Sequence, residues 1–275
     1  RLKLPLLKDP ILPEAADYLI MESTYGDKEH RDPELAFQEL RKVLLRTFRR
    51  GGKLIVPAFA VGRTQELVYS LNRLITEGEI PSIPVYVDSP LAVNATDIFS
   101  QFPEYFDAET HAFIRAGKHP ALWFPNLTYT RSVEESKEIN EKHGPLVIIS
   151  ASGMAENGRI LHHLRNNIED GRNTIAIVSW QAPETLGRRL AEGNKRVKIY
   201  GEEFPVAAEV VSIDGLSAHA GQDYLEQYAA ASKVALKHIF LVHGEEKPAT
   251  ALMEKIKENQ STPIQYPSPG TVVTL

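Results

Sequence analysis

The sequence predicts an α/β fold with a largely parallel sheet. Three observations predict it. Short apolar runs of strand length recur along the chain. Amphipathic segments with apolar residues three to four apart lie between them. No internal repeat or low-complexity linker breaks the alternation. Strands that alternate with helices are joined by crossovers, and crossovers build parallel sheets. The 275 residues suffice for one large domain or two smaller ones.

The elements follow in chain order. Tyr18 to Met21 reads as the first strand. Phe37, Leu40, Leu44 and Phe48 then recur on one helical face, and Gly51-Gly52 ends that helix. Leu54 to Val56 and Val85 to Val87 read as strands. Ser89 followed by Pro90 is an N-cap with proline in the first turn of a helix. Residues 100–130, rich in proline and aromatics, predict short helices and loops. Ser132 and Glu135 have the spacing of a capping box, which opens a further helix. Leu146 to Ile149, Thr174 to Val178, Ala208 to Ile213 and Ile239 to Val242 complete the predicted strands, and Leu252 and Ile256 anchor a late helix.

Composition narrows the function classes. A hydrophobic fraction of 43% and a charged fraction of 24% are those of an ordinary soluble globular protein. No apolar run approaches the ~18 residues that span a bilayer, and the first residues lack the apolar core of a signal peptide. The chain has no cysteine, which removes disulfides, thiolate zinc sites and a cysteine nucleophile, and fits a cytoplasmic protein. Any metal must be held by His, Asp or Glu. The net charge of −5 argues against a broadly basic nucleic-acid coat and leaves room for a local basic groove.

In a parallel α/β sheet, ligands bind at the carboxyl ends of strands. The polar residues following each apolar run are therefore the candidates. His243 ends the run Ile239 to Val242, where a neutral imidazole can ligate zinc, although a lone histidine there is more often packed or capping. His219, in a Ser-Ala-His-Ala loop, can be a general acid, a ligand or a phosphate donor, or a loop histidine bonded to backbone. Glu22 can orient a histidine, or be a solvated strand-end carboxylate. Gly62-Arg63-Thr64 and the stretch Gly153 to Gly158 each lead into a helix, whose free amides and, at Arg63, a guanidinium suit phosphate; simple helix entry is the plainer reading. His162 and His163 share a helical stretch, and His30, His111, His119, His143 and His238 have no supporting neighbours.

Taken in order, six segments resemble the β-CASP branch of the metallo-β-lactamase superfamily. They are Glu22-Ser-Thr-Tyr-Gly, Pro57-Ala-Phe-Ala-Val-Gly-Arg63-Thr-Gln-Glu-Leu, Asp88-Ser-Pro-Leu-Ala92, Ser152-Gly-Met154 with Gly158-Arg159, Ser217-Ala-His219, and Leu241-Val-His243-Gly. The bacterial and archaeal group related to the endonuclease subunit of the cleavage and polyadenylation factor fits best; ribonuclease J fits less well. The resemblance implies a zinc-dependent ribonuclease with two zinc ions. In it, Glu22 supports an active-site histidine, His219 is the general acid and His243 is a zinc ligand. Arg63, Ser89, Gly153 and Ser217 would line the RNA phosphate path.

The implied architecture divides the chain into residues 1–27, ending a first metallo-β-lactamase segment, an inserted β-CASP domain at 28–208, and a return of the metallo-β-lactamase fold at 209–275. Two departures stand out. The metal motif His-x-His-x-Asp-His does not occur, and the resemblance implies that it lies on a preceding segment, without which these residues would be inactive. The family's Ser-Ala-His loop commonly continues Ala-Asp, and here Gly221 follows Ala220. Expected partners are RNA as substrate, no membrane, and a homodimer as a candidate assembly. The rival readings are an inactive RNA-binding scaffold of the same superfamily, against which the retention of Glu22, His219 and His243 speaks, and a DNA-directed nuclease.

Overall fold

Strand β1 (Tyr18–Glu22) comes first, followed by α1 (Pro33–Arg49), β2 (Lys53–Pro57), α2 (Arg63–Thr76), β3 (Val85–Asp88) and α3 (Pro90–Gln101). After a 3-10 turn (Pro103–Tyr105) come α4 (Ala108–Arg115), β4 (Leu127–Thr130), α5 (Val133–Glu141), β5 (Leu146–Ser150), α6 (Ile160–Asn167), β6 (Thr174–Ile177) and α7 (Leu186–Ala191). The chain ends with β7 (Arg196–Ile199), β8 (Glu202–Pro205), β9 (Glu209–Ser212), α8 (Gln222–Ala231), β10 (His238–Val242), α9 (Glu246–Lys257) and β11 (Ile264–Gln265). This computed structural model describes residues 2–30, 32–117, 119–231 and 236–275.

Two compact units form. The larger comprises Leu4–Lys8 and Asp32–Ser217, the smaller Arg1–Lys3, Asp9–Arg31 and Ala218–Leu275. The larger unit is built on a six-stranded sheet in the order β4-β3-β5-β2-β6-β9. Every pairing in it is parallel. Both faces of its central strands are covered. Leu54, Val56, Val147, Ile149 and Ala176 face one apolar cluster, with Leu40 and Leu44 of α1 and Leu67, Leu71 and Leu74 of α2. Their sequence neighbours Ile55, Leu146, Ile148, Ile175 and Ile177 face the other, with Ile160 and Leu164 of α6 and Leu186 and Leu190 of α7. Burial on both faces is why these strands read as unbroken apolar runs rather than alternating ones.

The helix signals read from the sequence are met by contacts. Ser89 accepts the Ala92 amide, capping α3. Ser132 accepts the Glu135 amide while Glu135 Oε2 accepts that of Ser132, closing the capping box of α5. At α2 the N-cap is Gly62, at a φ of +81° that only glycine adopts readily. Strands β7 and β8 form an antiparallel hairpin closed by Tyr200-Gly201, both with positive φ as a two-residue hairpin turn requires.

The smaller unit carries a parallel three-stranded sheet, β1-β10-β11, on which α8 and α9 pack. Leu19 and Met21 of β1, Ile239 and Leu241 of β10, Leu225 and Ala229 of α8, and Leu252 and Ile256 of α9 make its core. Among the described residues, no helix is long and apolar enough to cross a membrane.

Candidate active site

The site grows out of the pairing of β1 with β10. Parallel register sets Glu22 opposite Val242, the last residue of β10, so His243, which follows it, emerges beside the carboxyl end of β1. Close contact between the two strand ends needs Gly244. A Cβ there would lie 2.4 Å from Ser23 Oγ and 2.8 Å from the Ser23 carbonyl oxygen. The Ser23 hydroxyl donates to the Val242 carbonyl at 3.1 Å, and the Tyr266 hydroxyl to that of Gly244 at 2.8 Å. His243 itself has a φ of +49°, the left-handed region that a histidine enters at a cost of about 1–3 kcal/mol. Its neighbours hold it there: Thr24 Oγ1 donates to the His243 carbonyl at 2.8 Å.

His219 arrives from the loop before α8. Its Nδ1 lies 2.5 Å from Glu22 Oε2, and the other carboxylate oxygen accepts the Ala220 amide at 3.2 Å. Thr24 Oγ1 stands 3.3 Å from Nδ1 of both His219 and His243, whose rings stack with centroids 5.1 Å apart. Burial raises the Glu22 carboxyl; hydrogen bonds from His219 and Thr24, the charge of His219 and the Ala220 amide outweigh it and hold the group below its ordinary value. Glu22 is therefore a carboxylate at neutral pH, oriented toward an imidazole. Glu22, His219 and His243 each offer one donor atom, and the three donors lie within 4.8 Å of one another. Imidazole nitrogen and carboxylate oxygen are the donors zinc takes in a cysteine-free site. Exposed His243 fits a ligand's role, whereas Glu22 is already committed to His219.

The sequence is similar to those of known proteins. Residues 64–190 match the family model of the Beta-Casp domain, and residues 203–267 that of the Zn-dependent metallo-hydrolase RNA specificity domain. Ribonuclease TTHA0252 of Thermus thermophilus is 38% identical over 248 residues, 90% of this chain and 56% of that protein. The chain belongs to the β-CASP branch of the metallo-β-lactamase superfamily. Proteins named transcription termination factor FttA are also similar. That of Methanosarcina mazei is 33% identical over 86% of this chain and 38% of its own length, and that of a Lokiarchaeum species 30% identical over 94% and 41%. The chain thus spans little more than half the ribonuclease and about two fifths of the termination factors.

The other β-CASP motif residues lie in the larger unit, at the carboxyl end of its sheet. Arg63 follows β2, Ser89 follows β3 and Gly153 follows β5, and these three strands are neighbours. Arg63 is buried at the start of α2 and pairs with Glu66. The Ser89 hydroxyl is engaged in capping α3. Gly153 packs against the Phe59 ring, which a Cβ would approach to 3.0 Å. Ser217 is buried beyond β9.

Two groups of residues escaped the sequence reading. The first surrounds Asp88, which is fully buried. Its carboxylate accepts from Thr130 at 2.5 Å, Ser136 at 2.5 Å and Arg159 at 2.7 Å, and meets His163 Nε2 at 2.6 Å. Burial raises the Asp88 carboxyl, but the bonds from His163, Ser136, Thr130 and Arg159 hold it well below the usual carboxylate range. The second is His30, whose Nε2 reaches the His219 carbonyl at 2.8 Å. The available signal for His163 was its apolar helical setting, and for His30 its place four residues beyond the Glu22-Ser-Thr-Tyr-Gly segment.

Proposed function

We propose that the protein to which this chain belongs is a zinc-dependent ribonuclease that hydrolyses RNA phosphodiester bonds. The observation that carries the reading is the Glu22–His219 pair beside His243 at two adjoining strand ends, in a family whose matched domain is described as RNA-specific and zinc-dependent. The relative named as a ribonuclease supports it.

His243 would hold zinc, with further ligands from elsewhere in the intact protein and two ions in all. Bound zinc supplies a water activated near neutral pH and polarises phosphoryl oxygens. The residues of this chain do the rest. Glu22 accepts a hydrogen bond from Nδ1–H of His219 and fixes the ring, so the proton to be given away sits at Nε2. His219 passes that proton to the leaving ribose oxygen. Arg63, Ser89, Gly153 and Ser217 serve the phosphate path by shaping the loops at their strand ends, through helix N-termini and backbone rather than as exposed donors.

The test is RNA cleavage by the intact, zinc-loaded protein carrying His219→Ala. The reading expects a loss of about 100-fold or more in kcat, the usual scale of a general acid, with zinc content retained. Unchanged cleavage would remove His219 from the role of acid.

A further inference from the structure

We infer that His30 is a positioning residue for His219, acting on the carbonyl of the peptide whose amide Glu22 holds. The inference rests on the reading of His219 as proton donor. A carbonyl oxygen can only accept, so the 2.8 Å contact between His30 Nε2 and the His219 carbonyl is a hydrogen bond donated by His30. Glu22 grips the same residue at Nδ1 and, through the Ala220 amide, the peptide that follows. The His219 carbonyl and the Ala220 amide belong to one planar peptide, which Glu22 holds at its N–H and His30 at its C=O. A plane held at one end alone can still pivot and carry the ring with it. Fixing the carbonyl removes that freedom, and misplacement on the ångström scale is enough to slow a proton transfer by about 100-fold.

His30 is itself built into place. Its ring meets the buried Tyr25 ring edge-on, with centroids 4.6 Å apart and planes at 79°. Tyr25 bridges to Gly221 in parallel fashion. The Gln222 amide donates to the Lys28 carbonyl at 2.9 Å, and the Gln222 side chain to that of Gly26 at 2.6 Å. The segment carrying His30 is thereby laced to the turn carrying His219. Gly221 makes the approach possible. A Cβ at that position would stand 3.0 Å from the His30 amide nitrogen, 3.3 Å from Glu29 Cα and 2.8 Å from Asp223 Oδ1. A side chain there would push the 29–30 backbone away and draw His30 off the carbonyl.

The experiment uses the intact, zinc-loaded protein and two substrates that differ in leaving group. RNA must expel a ribose oxygen that needs a proton; a nucleoside p-nitrophenyl phosphodiester expels nitrophenolate, which departs without one. His30→Leu is expected to lower kcat on RNA by about 10- to 100-fold, with KM and the nitrophenyl rate changed by less than about threefold and zinc per chain unchanged. His30→Gln, whose amide can donate to the same carbonyl, should recover most of the loss. Equal losses on both substrates, or no loss on either, would overturn the inference. His219→Ala on the same pair reads the foundation separately: a selective loss there without one in His30→Leu sinks the positioning role alone, and no selective loss in His219→Ala sinks the donor role beneath it. Should His30→Leu not fold, His30→Asn, too short to reach the carbonyl, is read against His30→Gln by the same criteria.

Discussion

At Asp88 four side chains converge on one buried carboxylate, and they come from four places in the chain: the end of β4, helix α5, the residue before α6 and α6 itself. Because the folded carboxyl sits below its unfolded value, the group contributes stability that is fully present above the ordinary aspartate value of about 4. That stability is lost as pH falls from there through the depressed folded value. Asp88→Asn strands Arg159 and His163 opposite a neutral amide, and should lower stability at pH 7 by about 3 kcal/mol or more while flattening the acid limb of the stability curve. Urea titrations at several pH values measure both; a variant that keeps the wild-type acid limb would contradict the assignment. The sequence points to Asp88 as a strand-end residue but not to its partner. His163 lies in a helical stretch whose spacing does not say which strand end its face will meet. Nothing local links His30 to His219 either, since their contact spans 189 positions. Glu22, His219 and His243 were legible because each ends a strand or lies in the loop before a helix. The Gly221 departure also finds a physical reason in the close approach of residues 29 and 30.

Helix α3 illustrates how far local signals reach. Its cap, Ser89 before Pro90, is readable from residue types alone and is made as the pattern requires. Ser89→Ala should cost about 1 kcal/mol of stability and Ser89→Asn only a few tenths, measured by chemical denaturation. An alanine variant as stable as the wild type would mean the cap contributes nothing. All seven apolar runs are strands. Strands β1 and β9 are partly exposed, but β2, β5 and β6 are buried on both faces and so read as continuous hydrophobic sequence. The remaining four lack that signature. Strand β4 is an edge strand with two of its four residues buried, β7 and β8 are charged hairpin arms, and β11 has two residues. The run at Ala208 to Ile213 shows a different limit. It reads correctly as a strand, yet nothing in the run says that β9 will pair with β6 at the edge of the six-stranded sheet.

For the molecule as a whole, the α/β class and the β-CASP family were both legible, one from periodicity and the other from six ordered motifs. What periodicity could not supply is how distant segments meet. Glu22 and His219 lie 197 positions apart, and the parallel pairing of β1 with β10 sets Glu22 beside His243, equally remote in the chain. In the folded unit Glu22, His219 and the exposed His243 lie within reach of one another. The measurement that tests the functional account most directly is cleavage of a labelled RNA and a DNA of matched sequence by the intact protein, before and after chelation. The account predicts zinc in the purified protein, cleavage of the RNA well ahead of the DNA, loss of cutting on chelation and its return with added zinc. A zinc-loaded protein that binds RNA without cutting it would contradict the account and favour an inactive RNA-binding scaffold.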